Sequence, residues 1–264
     1  MTANTAPPRS SLAAESLLFA GRLLTQWRRA PTVPIQALLF PTFLLITYKL
    51  LVGKSIVRIT GTDSLYGLVP MCAVAGAMFG ALGAGLTIIG ERDSGLLSRL
   101  WVLPVHRASA LLGRLIAEAA RTVIGAALIT AVGVALGLRF DGGWLAMVAF
   151  LVIPALVAVV FSTAVIAIAV RANSSAMLFW LATPSIALVF SSSGIPPVGM
   201  LPTWMQPLIP LQPMAPTIES MRALALGEPA LRPLLLSVVW AIGLAAVVGP
   251  LAVRGYRAAA ESGR

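Results

Sequence analysis

Six stretches of mostly apolar residues, each near the length that crosses a bilayer, recur along this chain and restrict what it can fold into. They run approximately from Pro34 to Val52, Leu65 to Gly90, Leu115 to Leu138, Trp144 to Val170, Ala176 to Ser193 and Leu231 to Val253. A helix needs about 20 such residues to cross roughly 30 Å of hydrocarbon, and there it must satisfy its own backbone polar groups. The expected fold class is therefore an all-α membrane protein with six transmembrane helices. Pro184 and a Ser-rich end interrupt the fifth segment. No internal repeat accompanies the six, which argues against the two-halves plan of many secondary transporters.

Composition enters as a check on that reading. Of 264 residues 58% are hydrophobic and 11% charged, too few polar groups to cover a soluble surface. The net charge of +10 would suggest nucleic acid in a soluble protein. Here the basic residues flank apolar runs, the pattern of topology signals that also attract anionic lipid headgroups, so no nucleic-acid partner is expected. Cys72 and His106 are the sole residues of their kinds, which leaves no intrachain disulfide, zinc site or nucleophile–base pair to assemble. No catalytic, metal or cofactor-binding residue is expected in this chain.

Orientation follows from Lys and Arg in the connections. One side collects twelve: Arg9, Arg22, Arg28, Arg29, Arg92, Arg99, Arg107, Arg114, Arg171, Arg254, Arg257 and Arg264. The other has six: Lys49, Lys54, Arg58, Arg139, Arg222 and Arg232. That bias places both termini and the loop from Glu91 to Arg114 in the cytoplasm of a multi-pass inner-membrane protein.

The organisation expected is a tail and helix over residues 1–30, a six-span domain over 31–254 and a second tail over 255–264. The first residues lack the apolar core of a signal peptide. From Leu12 to Arg29 the pattern is helical, with Leu12, Phe19, Leu23 and Trp27 on one face and Glu15, Arg22, Gln26 and Arg29 on the other. This suits an N-terminal interfacial amphipathic helix, or else a plain cytoplasmic one. Before the last span, residues 191–230 include seven prolines between Pro196 and Pro216, too many for one continuous helix. The interleaved apolar residues fit either a re-entrant segment or an external cap, with Trp204 as interfacial anchor and Gln206 beside it.

The loop over 91–114 carries most of the chemistry. Leu96, Leu97, Leu100 and Leu103 form a short helical stripe that Pro104 ends, with Arg92 and Arg99 off it. Such a helix suits docking into a partner's groove; a membrane-surface hairpin is the alternative. His106, in the same loop, is a candidate contact residue. Glu118 and Arg121, three apart at one end of the third span, can pair on one helix face, as a structural ion pair or as part of an inner gate. Gly76 with Gly80, and Gly133 with Gly137, are spaced for close helix contact, within the subunit or at a dimer seam.

The loop resembles that of the membrane subunits of ABC-2 type exporters, which has the form E-x-x-x-G-x-x-x-R-L-x-x-x-P-x-x-R. The matching positions are Glu91, Gly95, Arg99, Leu100, Pro104 and Arg107, followed by Leu112, Gly113 and Arg114. The resemblance continues from Arg28-Arg29-Ala30-Pro31 to Pro202-Thr203-Trp204-Met205-Gln206-Pro207 and on through Gln212-Pro213 and Arg222 to Gly227. The run from Arg99 to Ser109 is most like the daunorubicin-resistance branch, which in mycobacteria includes exporters of long-chain cell-envelope lipids. The resemblance implies a coupling element at Glu91, Gly95, Arg99, Leu100, Pro104, His106 and Arg107 that engages a separate ATP-binding subunit, present in two copies with ATP and Mg. It also implies a second permease, the same or homologous, and an amphipathic or lipid cargo. Consistently, the one phosphate-loop candidate, Gly53-Lys54-Ser55, has Tyr48 where the first glycine must be. A secondary transporter or channel without an ATP-binding partner is the alternative, although these spans offer few polar relays.

Overall fold

The computed structural model describes residues 11–30, 32–96, 106, 108–172, 174, 176–192, 202–204, 206–209 and 211–261. Eight helices and no strand occur among them: α1 (Leu12–Arg29), α2 (Thr32–Thr60), α3 (Leu65–Asp93), α4 (Ser109–Ala135), α5 (Gly143–Ala169), α6 (Ala176–Phe190), α7 (Ala215–Leu226) and α8 (Leu231–Glu261). Five of them, α2, α3, α4, α5 and α8, are long and apolar enough to cross a membrane. With 27 to 31 residues each, they outrun the hydrocarbon thickness at about 1.5 Å per residue. α4 accordingly starts at Ser109, before the expected Leu115, and α8 continues through the supposed tail to Glu261. A helix need not stop where its apolar run stops, because its backbone ladder is equally satisfied in the headgroup layer. α6 has only 15 residues, about 22 Å of helix.

α3 is the central post. Its small residues bring α2, α4, α5, α6 and α7 onto it, and it is buried along most of its length. Gly76 meets Ile129 of α4 and Pro41 of α2, and a Cβ on Gly133 would lie 2.6 Å from Val69. These spacings therefore serve packing within the subunit, while Gly137 lies beyond the end of α4 in a left-handed turn. Phe40 of α2 stacks edge-on against Phe79 at 5.1 Å. Cys72 is fully buried in this core.

The outer helices show the reverse pattern. Almost none of the apolar window of α8 is buried, and Leu235, Val239, Ile242 and Val247 are exposed. α2 likewise exposes Leu39, Phe43, Leu50 and Leu51. α7, from the proline-rich stretch, is buried against α3, α5 and α8 instead and ends at Gly227 with φ +70°. At the opposite end of the bundle from the α3–α4 loop, Lys49 donates to both Asp63 carboxylate oxygens at 2.6 and 2.7 Å.

Candidate coupling site and buried ion pair

The site gathers where α3 ends and α4 begins. α3 stops at Ser94 because Gly95 takes φ +71°, a left-handed conformation that favours glycine, while its N–H is donated to the Arg92 carbonyl at 2.9 Å. One turn earlier Glu91 accepts from the Arg114 guanidinium, and the two side chains are only 12% and 7% exposed. This pair closes the base of the loop. Arg92 turns the other way and donates to the carbonyls of Ala172 at 2.7 Å and Ala169 at 3.5 Å, capping the C-terminus of α5. Arg171 donates to Ala167 at 3.0 Å and to Leu251 of α8 at 3.2 Å. The loop base is thereby tied to the end of α5, and that end is tied to the body of α8.

α1 reaches the same place from outside. Ser11 caps it by accepting from the Ala14 N–H at 3.2 Å, and the acidic Glu15 sits in its first turn. α1 lies on α4 at Gly113, where a Cβ would stand 2.7 Å from the Ser16 carbonyl oxygen. That closeness buries Glu15, contrary to its expected place on a polar outer face, and the carboxylate accepts from the His106 backbone N–H at 2.7 Å. The His106 Nδ1 lies 3.1 Å from the same oxygen. Ser109 donates to the His106 carbonyl at 2.6 Å, fixing the loop's return into α4. The outward leucines of α1 are Leu12, Leu17 and Leu18, so burial on α4, and not hydropathy alone, selects its inner face.

Deeper along α4, Arg121 donates to one Glu118 oxygen through Nε at 3.0 Å and Nη2 at 2.7 Å. The expected pair is thus formed, with side chains 8% and 0% exposed. Arg121 is held from two further sides: Trp27 of α1 has its ring 6.0 Å from the guanidinium carbon, and Gly80 of α3 provides the space it fills. The second Glu118 oxygen and the Thr122 hydroxyl have no hydrogen-bond partner among the described residues.

The sequence marked Glu91, Gly95, His106, Glu118 and Arg121 and placed each near this region. Arg99, Leu100, Pro104 and Arg107, with most of the leucine stripe, lie outside the described residues. Trp204 is exposed and Gln206 half-buried, both far in sequence from the loop. Missed from sequence were Glu15 as partner of His106, the Arg92 contacts to the end of α5 and the Arg171 contact to the body of α8. An acidic residue in the capped first turn of an otherwise basic helix was the available signal for the first. Gly53, Lys54 and Ser55 are helical within α2, so no phosphate-cradling loop forms there.

Comparison with known proteins gives this arrangement a family. Residues 15–226 match the model of the ABC-2 type transporter family. The chain is 33% identical to the "Probable doxorubicin resistance ABC transporter permease protein DrrC" of Mycobacterium tuberculosis, over 93% of this chain and 89% of that protein. It is 25% identical to the "Daunorubicin resistance ABC transporter permease protein DrrB1" of Streptomyces coeruleorubidus, over 97% and 91%. The "Putative transport permease ycf38" of Cyanophora paradoxa is 27% identical over 80% and 73%. No solved structure matches. The five membrane-length helices are therefore those of a permease that works with an ATP-binding partner, and the chain belongs to the ABC-2 type transporter family.

Proposed function

We propose that this chain exports an amphipathic drug or a cell-envelope lipid across the cytoplasmic membrane, driven through the loop over 91–114. Two ATP-binding subunits hold ATP and Mg, and a second permease, the same or homologous, completes the assembly. Six spans, with α6 as the short fifth, put both termini and the loop in the cytoplasm. The proline-rich stretch with Trp204 and Gln206 then covers the external face, part of it returning into the membrane as α7. The apolar spans and the drug-resistance names of the relatives support an amphipathic cargo.

The observation that carries this reading is the double closure of the loop, Glu91 on Arg114 and His106 on Glu15. A loop held at its base to α3 and α4 and at its return to α1 moves those helices when a partner pushes it. Nucleotide binding supplies the energy by favouring one arrangement of the permease over the other. Glu118 and Arg121, braced between α1, α3 and α4, then form an inner gate that responds to the same movement. The chain itself supplies no catalytic group; Glu91, Gly95, Arg99, Leu100, Pro104, His106 and Arg107 transmit force.

The test uses the assembled complex in liposomes. Glu91→Ala and Arg107→Ala are expected to leave membrane insertion intact and to retain ATP hydrolysis while export falls at least tenfold. Normal transport in both variants refutes the coupling role.

A further inference from the structure

Between α5, α6, α7 and α8 lies a cavity of about 200 Å3. We infer that it is a binding slot for one acyl chain of a membrane phospholipid. Its inner wall is Val157, Phe161, Thr217 and Met214, and its outer wall is the α8 stripe of Trp240, Ala241, Leu244 and Val248. The lining is almost wholly carbon. Of its three hydroxyls, Ser237 already donates to the Pro233 carbonyl at 2.9 Å, Thr217 leans on the Pro213 carbonyl at 3.5 Å, and Ser185 is not without a partner either. No charged side chain lines it, so neither water nor a polar headgroup finds partners inside.

The shape and the surroundings identify the occupant. On α8 the lining runs from Ser237 to Val248, about 16 Å along the helix axis. It is a slot parallel to the spans, matched to a chain and not to a broad ring system. Trp240 is exposed, and Ala164, Ala241, Leu244 and Val248 are only partly buried. The slot is therefore open along one side, beside the α8 face that carries Val239, Ile242 and Val247 outward. In the single chain placed in a membrane, that face meets lipid hydrocarbon. An apolar space that water avoids, open to hydrocarbon, is filled by the chains already there. Membrane residence alone underlies this assignment; it is independent of the coupling role and of the cargo.

Native mass spectrometry of the full chain released from phosphatidylglycerol-containing vesicles reads the slot directly. Wild type is expected to keep one phospholipid per chain through detergent exchange. Ala241→Trp and the milder Ala164→Leu fill the slot and should cut that retention at least fivefold, whereas Ala245→Trp on the outward face of α8 should not. Equal retention in all four proteins overturns the assignment, as does equal loss in Ala245→Trp or displacement of the lipid by doxorubicin. A photoactivatable phospholipid with a mid-chain diazirine tests wild type without substitution. Labelling concentrated on residues 156–164 and 237–248 supports the slot; even labelling of α2 and α8 overturns it.

Discussion

The guanidinium of Arg121 on α4 occupies the space that any side chain on residue 80 of α3 would need, and Gly80 leaves that space open. The contact joins two helices through a buried charge. Displacing Arg121 therefore disturbs more than van der Waals packing, because its hydrogen bonds to Glu118 go with it.

Gly80→Ala should destabilise the protein by about 1–3 kcal/mol, the usual range for overpacking a filled core. Arg121→Ala alone leaves the Glu118 carboxylate buried and unpaired, which typically costs about 3–5 kcal/mol. Combined, the two should cost clearly less than their sum, since the added methyl then no longer collides with the guanidinium. Unfolding in mixed micelles measures the cycle, and additivity within about 0.5 kcal/mol would show that Gly80 does not sense Arg121.

Two loop-end glycines should fail in different ways. Gly95 meets nothing within 4 Å but has φ +71°, so Gly95→Ala should cost about 1–2 kcal/mol of backbone strain, and Gly95→Asn less. Gly113 has ordinary helical backbone but faces the Ser16 carbonyl and the Ala20 nitrogen of α1, and main chain does not rotate aside. Gly113→Ala should lift α1 and speed amide exchange over residues 16–24, whereas Gly95→Ala should leave α1 protection unchanged. Hydrogen exchange with mass readout separates the two.

The Lys49–Asp63 pair gives a pH dependence with a defined sign. Burial pushes the Asp63 carboxyl up, but hydrogen bonds from Lys49 and the Leu65 N–H, with the Lys49 charge, outweigh it and hold the group below its ordinary value. A folded value below the unfolded one, about 3.9, stabilises the fold above about pH 4, and that contribution disappears as pH falls through the folded value. Asp63 is 38% exposed, so solvent screening limits the pair to about 0–1 kcal/mol. Wild type should therefore exceed Asp63→Asn slightly at pH 7 and match it near pH 2; a gap that widens in acid contradicts the assignment.

What the sequence disclosed depended on the distance between interacting residues. Glu118 and Arg121 stand three apart, so helical periodicity alone brings them together. Glu91 and Arg114 are separated by the whole loop, and no local rule pairs them, although both belong to the motif that identified the family. Helical periodicity set Glu15 on the polar face of α1, yet the small surface at Gly113 draws α1 close enough to bury it. The helices α4 and α8 extend beyond the apolar spans read from sequence because hydropathy marks the hydrocarbon layer, while helices continue past it. α6 was legible as an apolar segment interrupted at Pro184, and with 15 helical residues it is shorter than any of the five membrane-length helices.

Exchanging the charges at the loop base discriminates a specific pair from general charge attraction. Glu91→Ala and Arg114→Ala each strand a largely buried partner, at about 3–5 kcal/mol. The exchange Glu91→Arg with Arg114→Glu restores opposite charges across the loop, but the restoration should be partial. Arg114 also lies within electrostatic reach of Glu118, four residues on along α4, and a glutamate at 114 faces a like charge there. Stability and coupled transport should therefore rank wild type above the exchange and the exchange above either single variant. If the exchanged protein is no better than Arg114→Ala, the base of the loop depends on the shape of the arginine fork and not on charge. If it equals wild type, Glu118 does not sense residue 114, and the loop base and the buried pair act as separate units.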